Sequence, residues 1–149
     1  MNLEYVLTDL GVGKADIEKA KAYRSRVGGS LEKILVNMGS VSEDLLPTVY
    51  SRYLDCPILS HKQRDDWKPV QSDNSLAIKF LSENGWLLLC EPNDNHYTFV
   101  TKTPLNWDVI QYLNNKSISF SRIIASESDY GMLSIQTMID NKVTDDLLS

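Results

Sequence analysis

Cys56 and Cys90, His61 and His96, and the acid pairs Asp65-Asp66 and Asp145-Asp146 are the side chains that could carry chemistry in this chain. Thiols and imidazoles together would suit a metal, a thiol alone a nucleophile, and paired carboxylates general acid–base work. Their spacing supports none of these. The two histidines fall in predicted loops far apart, which predicts solvated rings and no metal centre. The cysteines stand alone in apolar runs with no CxxC, the usage of buried structural thiols in a reducing compartment. Adjacent acids do not converge on one reacting atom, so both pairs read as solvated charge. No nucleophile elbow presents a serine, and no GxxxxGK[ST] cradle follows a strand. Gly28-Gly29 could let the backbone approach a phosphate, but a turn between two helices is the simpler use. The expectation is a domain without catalytic residues, cofactor or metal.

What remains is architecture, and it is duplicated. Residues 2–11 (NLEYVLTDLG) and 30–39 (SLEKILVNMG) match at an offset of 28, with Leu3/Leu31, Glu4/Glu32, Leu7/Leu35 and Gly11/Gly39 identical. The match continues weakly through Asp16/Asp44, Ile17/Leu45 and Arg24/Arg52. In each copy the apolar residues recur at i, i+3, i+4 and i+7, one stripe of an α-helix. The glycine after the last of them stops the helix in a left-handed turn. A second helix follows each glycine. In the second copy Ser42 is its candidate N-cap, and Pro47 is admissible only in a first turn. The spacing predicts two short-helix pairs, packed on each other because neither copy can bury its stripe alone.

The second half has another rhythm. Residues 60–74 are polar and mixed in charge and read as a linker, with Trp67 as an anchor onto a neighbouring subdomain. Leu76, Phe80 and Leu81 mark a helix ending at Asn84-Gly85. Trp86–Cys90 reads as a buried strand, EPNDNH as a hairpin loop, and Tyr97–Thr101 as the returning strand. A helix capped by Asn106 follows. Then comes a strand through Ile118–Ile124 with at least one solvated face, and a last helix opened by Ser126 and ending near Ile139. The expected fold is α+β: a helical subdomain over residues 1–59, a linker over 60–74, a small α-β-β-α-β-α subdomain over 75–139, and a polar tail over 140–149.

Composition narrows the partners. A net charge of −5 and a pI near 4.9 speak against nucleic acid or an anionic membrane as the main partner. No apolar run approaches the roughly 20 residues that span a bilayer, and residues 1–10 carry no signal-peptide pattern. The sequence reading therefore expects a cytosolic location and no membrane insertion.

The segment GGSLEKILVNMGSVSEDLLPTVYSRYLDCPIL resembles the N-terminal domain of type II secretion and type IV pilus assembly ATPases. There a short helix, a glycine, a Ser-Glu helix start and a proline-bearing close occur in that order. Thr103-Pro104-Leu105-Asn106 occupies the place of a "DPLN"-like helix start, and the resemblance covers about residues 1–139. It implies protein docking: a non-catalytic domain tethering a homo-hexameric motor to the cytoplasmic domain of an inner-membrane platform protein, and so peripheral to that membrane. Tyr5, Tyr23, Tyr50 and Tyr53 on the duplicated stripes are the candidate partner contacts.

A subset of the family binds cyclic di-GMP through the doubled unit, and similar regulatory domains serve membrane glycosyltransferases. The apolar frame of that pattern matches at Leu3, Leu7 and Gly11 and at Leu31, Leu35 and Gly39. The opening arginine of each unit is Asn2 or Ser30, the next glycine is Glu4 or Glu32, and Tyr53 stands where glutamine closes the pattern. Arginine forks suit phosphate and guanine edges. A carboxylate about 6 Å from a phosphate repels it by roughly 2–3 kcal/mol at an effective dielectric near 20. The residues thus favour docking over the nucleotide.

Overall fold

The computed structural model describes residues 2–70 and 75–148, with side chains through Ile139. The chain divides into two units, Met1–Asp55 and Cys56–Ser149.

In the first unit the sequence pattern becomes four helices. Helix α1 (Leu3–Asp9) is capped by Asn2, whose side chain accepts from the Tyr5 amide at 2.8 Å. It stops at Gly11 (φ +97°), where Gly11 N–H donates to Thr8 and Val12 N–H to Leu7, both at 3.0 Å. Helix α3 (Leu31–Asn37) stops identically at Gly39 (φ +79°), with Gly39 donating to Val36 and Ser40 to Leu35. These are two copies of the Schellman turn, which satisfies the last helical carbonyls. Helix α2 (Lys14–Val27) ends at Gly28. Helix α4 (Leu46–Leu54) follows one 3₁₀ turn over Glu43–Leu45, so Pro47 falls in a first turn where its missing N–H costs nothing.

The copies pack crosswise: α2 lies on α3 and α1 on α4. Val6, Leu7, Ile17, Ala20, Leu31, Ile34, Leu35 and Val49 form the common core. Each large aliphatic side chain so buried contributes about 1.5–3 kcal/mol. An Asp9–Arg52 ion pair ties α1 to α4 at the surface.

The second unit is a three-stranded sheet with helices on both faces. Helix α5 (His61–Asp66) stands where the sequence predicted a linker. Ser60 and Gln63 form a reciprocal capping box, and Trp67 behind it buries its ring and donates Nε1–H to the Leu88 carbonyl at 3.1 Å. Trp67 thus anchors this segment onto the sheet that follows it, and the segment belongs to the same unit as that sheet. Helix α6 (Ile78–Glu83) leads through Gly85 into β1 (Trp86–Leu88). Asp94 and Asn95, both at positive φ, form the two-residue turn into β2 (His96–Thr101). Helix α7 (Trp107–Asn115) crosses over to β3 (Ser119–Ile124), so β1 and β2 are antiparallel and β2 and β3 parallel. Helix α8 (Glu127–Leu148) continues well past Ile139, into the stretch read as a polar tail, because neither glycine nor proline interrupts it after Gly131.

One sheet face packs Trp86, Leu88, Tyr97 and Phe99 against Leu81, Val109 and Leu113. The other packs Leu87, Val100 and Ile123 against Trp67, Tyr130 and Leu133. Pro57–Leu59 adds a short parallel segment beside Ile124: the Ile124 amide donates to Pro57 and the Leu59 amide to the Ile124 carbonyl, each at 2.8 Å. Residues 56–59, expected to close the helical subdomain, therefore belong to the second unit. Among the described residues no helix is long and apolar enough to cross a membrane.

Candidate functional site

The structure separates the four tyrosines. Tyr5 on α1 and Tyr23 on α2 are exposed, at 57% and 43%, while Tyr50 on α4 is buried and Tyr53 packs against the core. Two further apolar residues of the same unit are exposed: Val27, one turn beyond Tyr23 on α2, and Met38 at the end of α3. Val27 was legible as the i+4 partner of Tyr23 on a polar helix. Met38 sits in the repeat stripe yet points out, because the helix ends there. Tyr23, Ile34, Asn37 and Met38 line an open groove of about 220 Å³.

The leucine–glycine frame has structural work of its own. Leu7 and Leu35 are wholly buried, Leu31 nearly so, and Leu3 packs against the same core. Gly11 and Gly39 face open space and serve the helix stops. The two matched glutamates differ. Glu4 pairs with Lys21 at 3.2 Å near the surface. Glu32 is 2% exposed, and its carboxyl is pushed above the usual glutamate range by burial. Its own backbone amide, Lys33, Ser30 and Arg24 oppose that shift.

A carboxyl that holds its proton more tightly when folded favours folding at low pH. That advantage fades as pH rises from the unfolded value of about 4.3 through the raised folded value. Glu32→Gln is therefore expected to stabilise the first unit at pH 7 and to flatten the pH dependence of its urea midpoint above pH 4. A variant less stable than the parent at pH 7 overturns this account.

The remaining candidates are dispersed. His61 is exposed at the start of α5. His96, expected to be solvated, is half-buried and bracketed by the Ser119 and Ser121 hydroxyls, 2.7 Å from Nδ1 and Nε2 respectively. Parallel pairing with β3 places those serines two residues apart on the adjacent strand. Neither cysteine forms a disulfide among the described residues and neither is buried: Cys56 is half-exposed at the start of the second unit, and Cys90 is exposed where β1 gives way to the hairpin. Asp65 pairs with Arg64 at 3.1 Å, and Arg64 also holds Asp129 at 3.0 Å. The side chains of Asp145 and Asp146 lie outside the described residues. Among the described residues no three His, Cys, Asp or Glu side chains gather to hold a metal.

No protein-family description and no curated protein matches the chain. Solved structures do. The structure of MshE with cdg, cyclic di-GMP, superposes at a TM-score of 0.70 with 18% identity, covering 89% of this chain and 96% of that one. The N-terminal domain of XpsE matches at 0.68 with 19% identity, covering 89% and 90%, and a second crystal form of it at 0.56 with 18% identity, covering 88% and 90%. The chain thus has the fold of the N-terminal domains of secretion and pilus ATPases.

Proposed function

We propose that this domain docks a hexameric secretion or pilus motor to the cytoplasmic domain of an inner-membrane platform protein. It is then a non-catalytic, cytoplasmic element held at the membrane through that partner. The observation that carries the reading is the exposure of Tyr5, Tyr23, Val27 and Met38 on a small helical unit of this fold. Aromatic side chains left in solvent on rigid helices are efficient interface anchors, because they bury much area while losing little side-chain freedom.

Calorimetry with the cytoplasmic domain of the platform protein from the same organism tests this. Binding is expected, and Tyr5→Ala/Tyr23→Ala is expected to weaken it at least tenfold, since anchor truncations cost about 2 kcal/mol or more. Absence of binding by the folded chain overturns the proposal.

The MshE structure favours a second reading, a cyclic di-GMP sensor. Against it stand Asn2 and Ser30 where the pattern has arginines, Glu4 in the first turn of α1 and the buried Glu32. Asn2 is moreover committed as a helix cap. The same calorimeter is expected to stay silent with cyclic di-GMP into the high micromolar range; heat at low micromolar ligand makes the sensor reading the better one.

A further inference from the structure

Helix α2 carries a local charge opposite to that of the chain. From Lys19 to Val27 it holds Lys19, Lys21, Arg24 and Arg26 and no acid, in a protein of net charge −5. Lys21 is occupied by Glu4 and Glu18. Among the described residues no carboxylate lies within ion-pair distance of Lys19, Arg24 or Arg26, although Arg24 acts electrostatically on the buried Glu32 of α3. Cations left without counter-ions inside an acidic protein are available to an outside partner.

Geometry joins these charges to the apolar groove. With Ile17 and Ala20 turned into the core, Lys19, Tyr23, Arg26 and Val27 (i, i+4, i+7 and i+8) form one exposed stripe along the flank of that buried pair. Tyr23 lines the groove that Ile34, Asn37 and Met38 complete from α3. Its volume of about 220 Å³ suits one large apolar side chain. The surface is thus an apolar slot bordered by unpaired cations.

We infer that this slot receives an acidic amphipathic helix of the partner protein, which inserts one large apolar side chain beside Tyr23 and Met38 and sets its carboxylates against Lys19 and Arg26. Charge complementarity selects an acidic partner, and the i, i+4 spacing of Tyr23 and Val27 matches the ridge spacing of a facing helix. The inference rests on the docking reading and names the chemistry of its interface.

Two titrations test it, both on the 149-residue chain labelled with ¹⁵N. The first uses a synthetic amphipathic helix with leucines at every third or fourth position flanked by glutamates, and a twin carrying lysines in their place. The glutamate peptide is expected to shift amide signals within Lys19–Val27 and Ile34–Met38, to bind at least tenfold tighter than its twin, and to weaken with added salt. Lys19→Glu/Arg26→Glu, at two exposed positions without an ion pair among the described residues, is expected to reverse that preference in a chain whose amide spectrum shows it folded. Equal binding of the two peptides, no binding, or shifts confined elsewhere overturns the inference. So does binding to phosphatidylglycerol vesicles that displaces the peptide and is lost in the same variant, since the surface then serves a lipid.

The second titration uses the platform protein's cytoplasmic domain. A loss of tenfold or more in the double variant supports the slot. Undiminished binding overturns the slot and leaves docking standing, whereas no binding by either form, with the glutamate peptide still seated, fails the docking reading alone.

Discussion

Trp86→Ala is expected to lower the stability of the second unit by about 3–5 kcal/mol, the range for truncating a fully buried aromatic. Trp86 is wholly buried and meets Phe99 and Phe120 edge to face, with centroids 5.6 and 5.9 Å away. Its indole N–H donates to the Thr103 carbonyl at 3.0 Å, so the truncation also strips a partner from a half-buried acceptor. Total stabilities of about 5–15 kcal/mol make such a loss nearly decisive. Trp107, 65% exposed at the start of α7, supplies the contrast: Trp107→Ala should stay within about 0.5 kcal/mol of the parent. Urea titrations followed by near-ultraviolet circular dichroism make the comparison. Equal midpoints for the two variants would remove Trp86 from the centre of this core.

Gly85→Ala ranks second, at roughly 2–4 kcal/mol from strain and overpacking together. The residue sits at φ +86°, and a Cβ there would lie 2.6 Å from Thr103 Oγ1 and 3.1 Å from Lys102 Cγ. Thr103 cannot swing away freely, because its hydroxyl donates to the Asn84 carbonyl and its amide donates to Thr101 Oγ1. Gly11 isolates the backbone part of the effect. It has φ +97° with nothing within 4 Å of its Cβ position, so Gly11→Ala should cost only the left-handed strain of about 1–2 kcal/mol. Denaturation of each variant, read on the unit that carries it, gives the two costs. A Gly85→Ala cost no greater than that of Gly11→Ala would show that the Thr103 contact relaxes freely.

The helix–glycine units were legible because their signals are local. A stripe and a terminal glycine lie within ten residues, and the Schellman turn uses only those residues. The order α-β-β-α-β-α was legible for the same reason, through Asn84-Gly85, Asp94-Asn95 and Asn106. Helix α5 was missed because six residues without an apolar stripe carry no periodicity, although the capping residues Ser60 and Gln63 were there to be read. Partnering across space was not legible at all. The crosswise packing of the copies decides that Tyr23 faces solvent and Tyr50 does not. It also buries Glu32 while its repeat-mate Glu4 stays near the surface beside Lys21. The bracketing of His96 by two serines depends on a parallel register set up by α7, which no local pattern encodes.

The strip Pro57–Leu59 reverses the usual order in which a sheet is assembled. It leaves the ribosome first, yet its hydrogen-bonding mate, Ile124, is among the last strand residues to emerge. Until then the strip has nothing to zip onto, so this margin of the sheet closes only after nearly the whole unit has been synthesised.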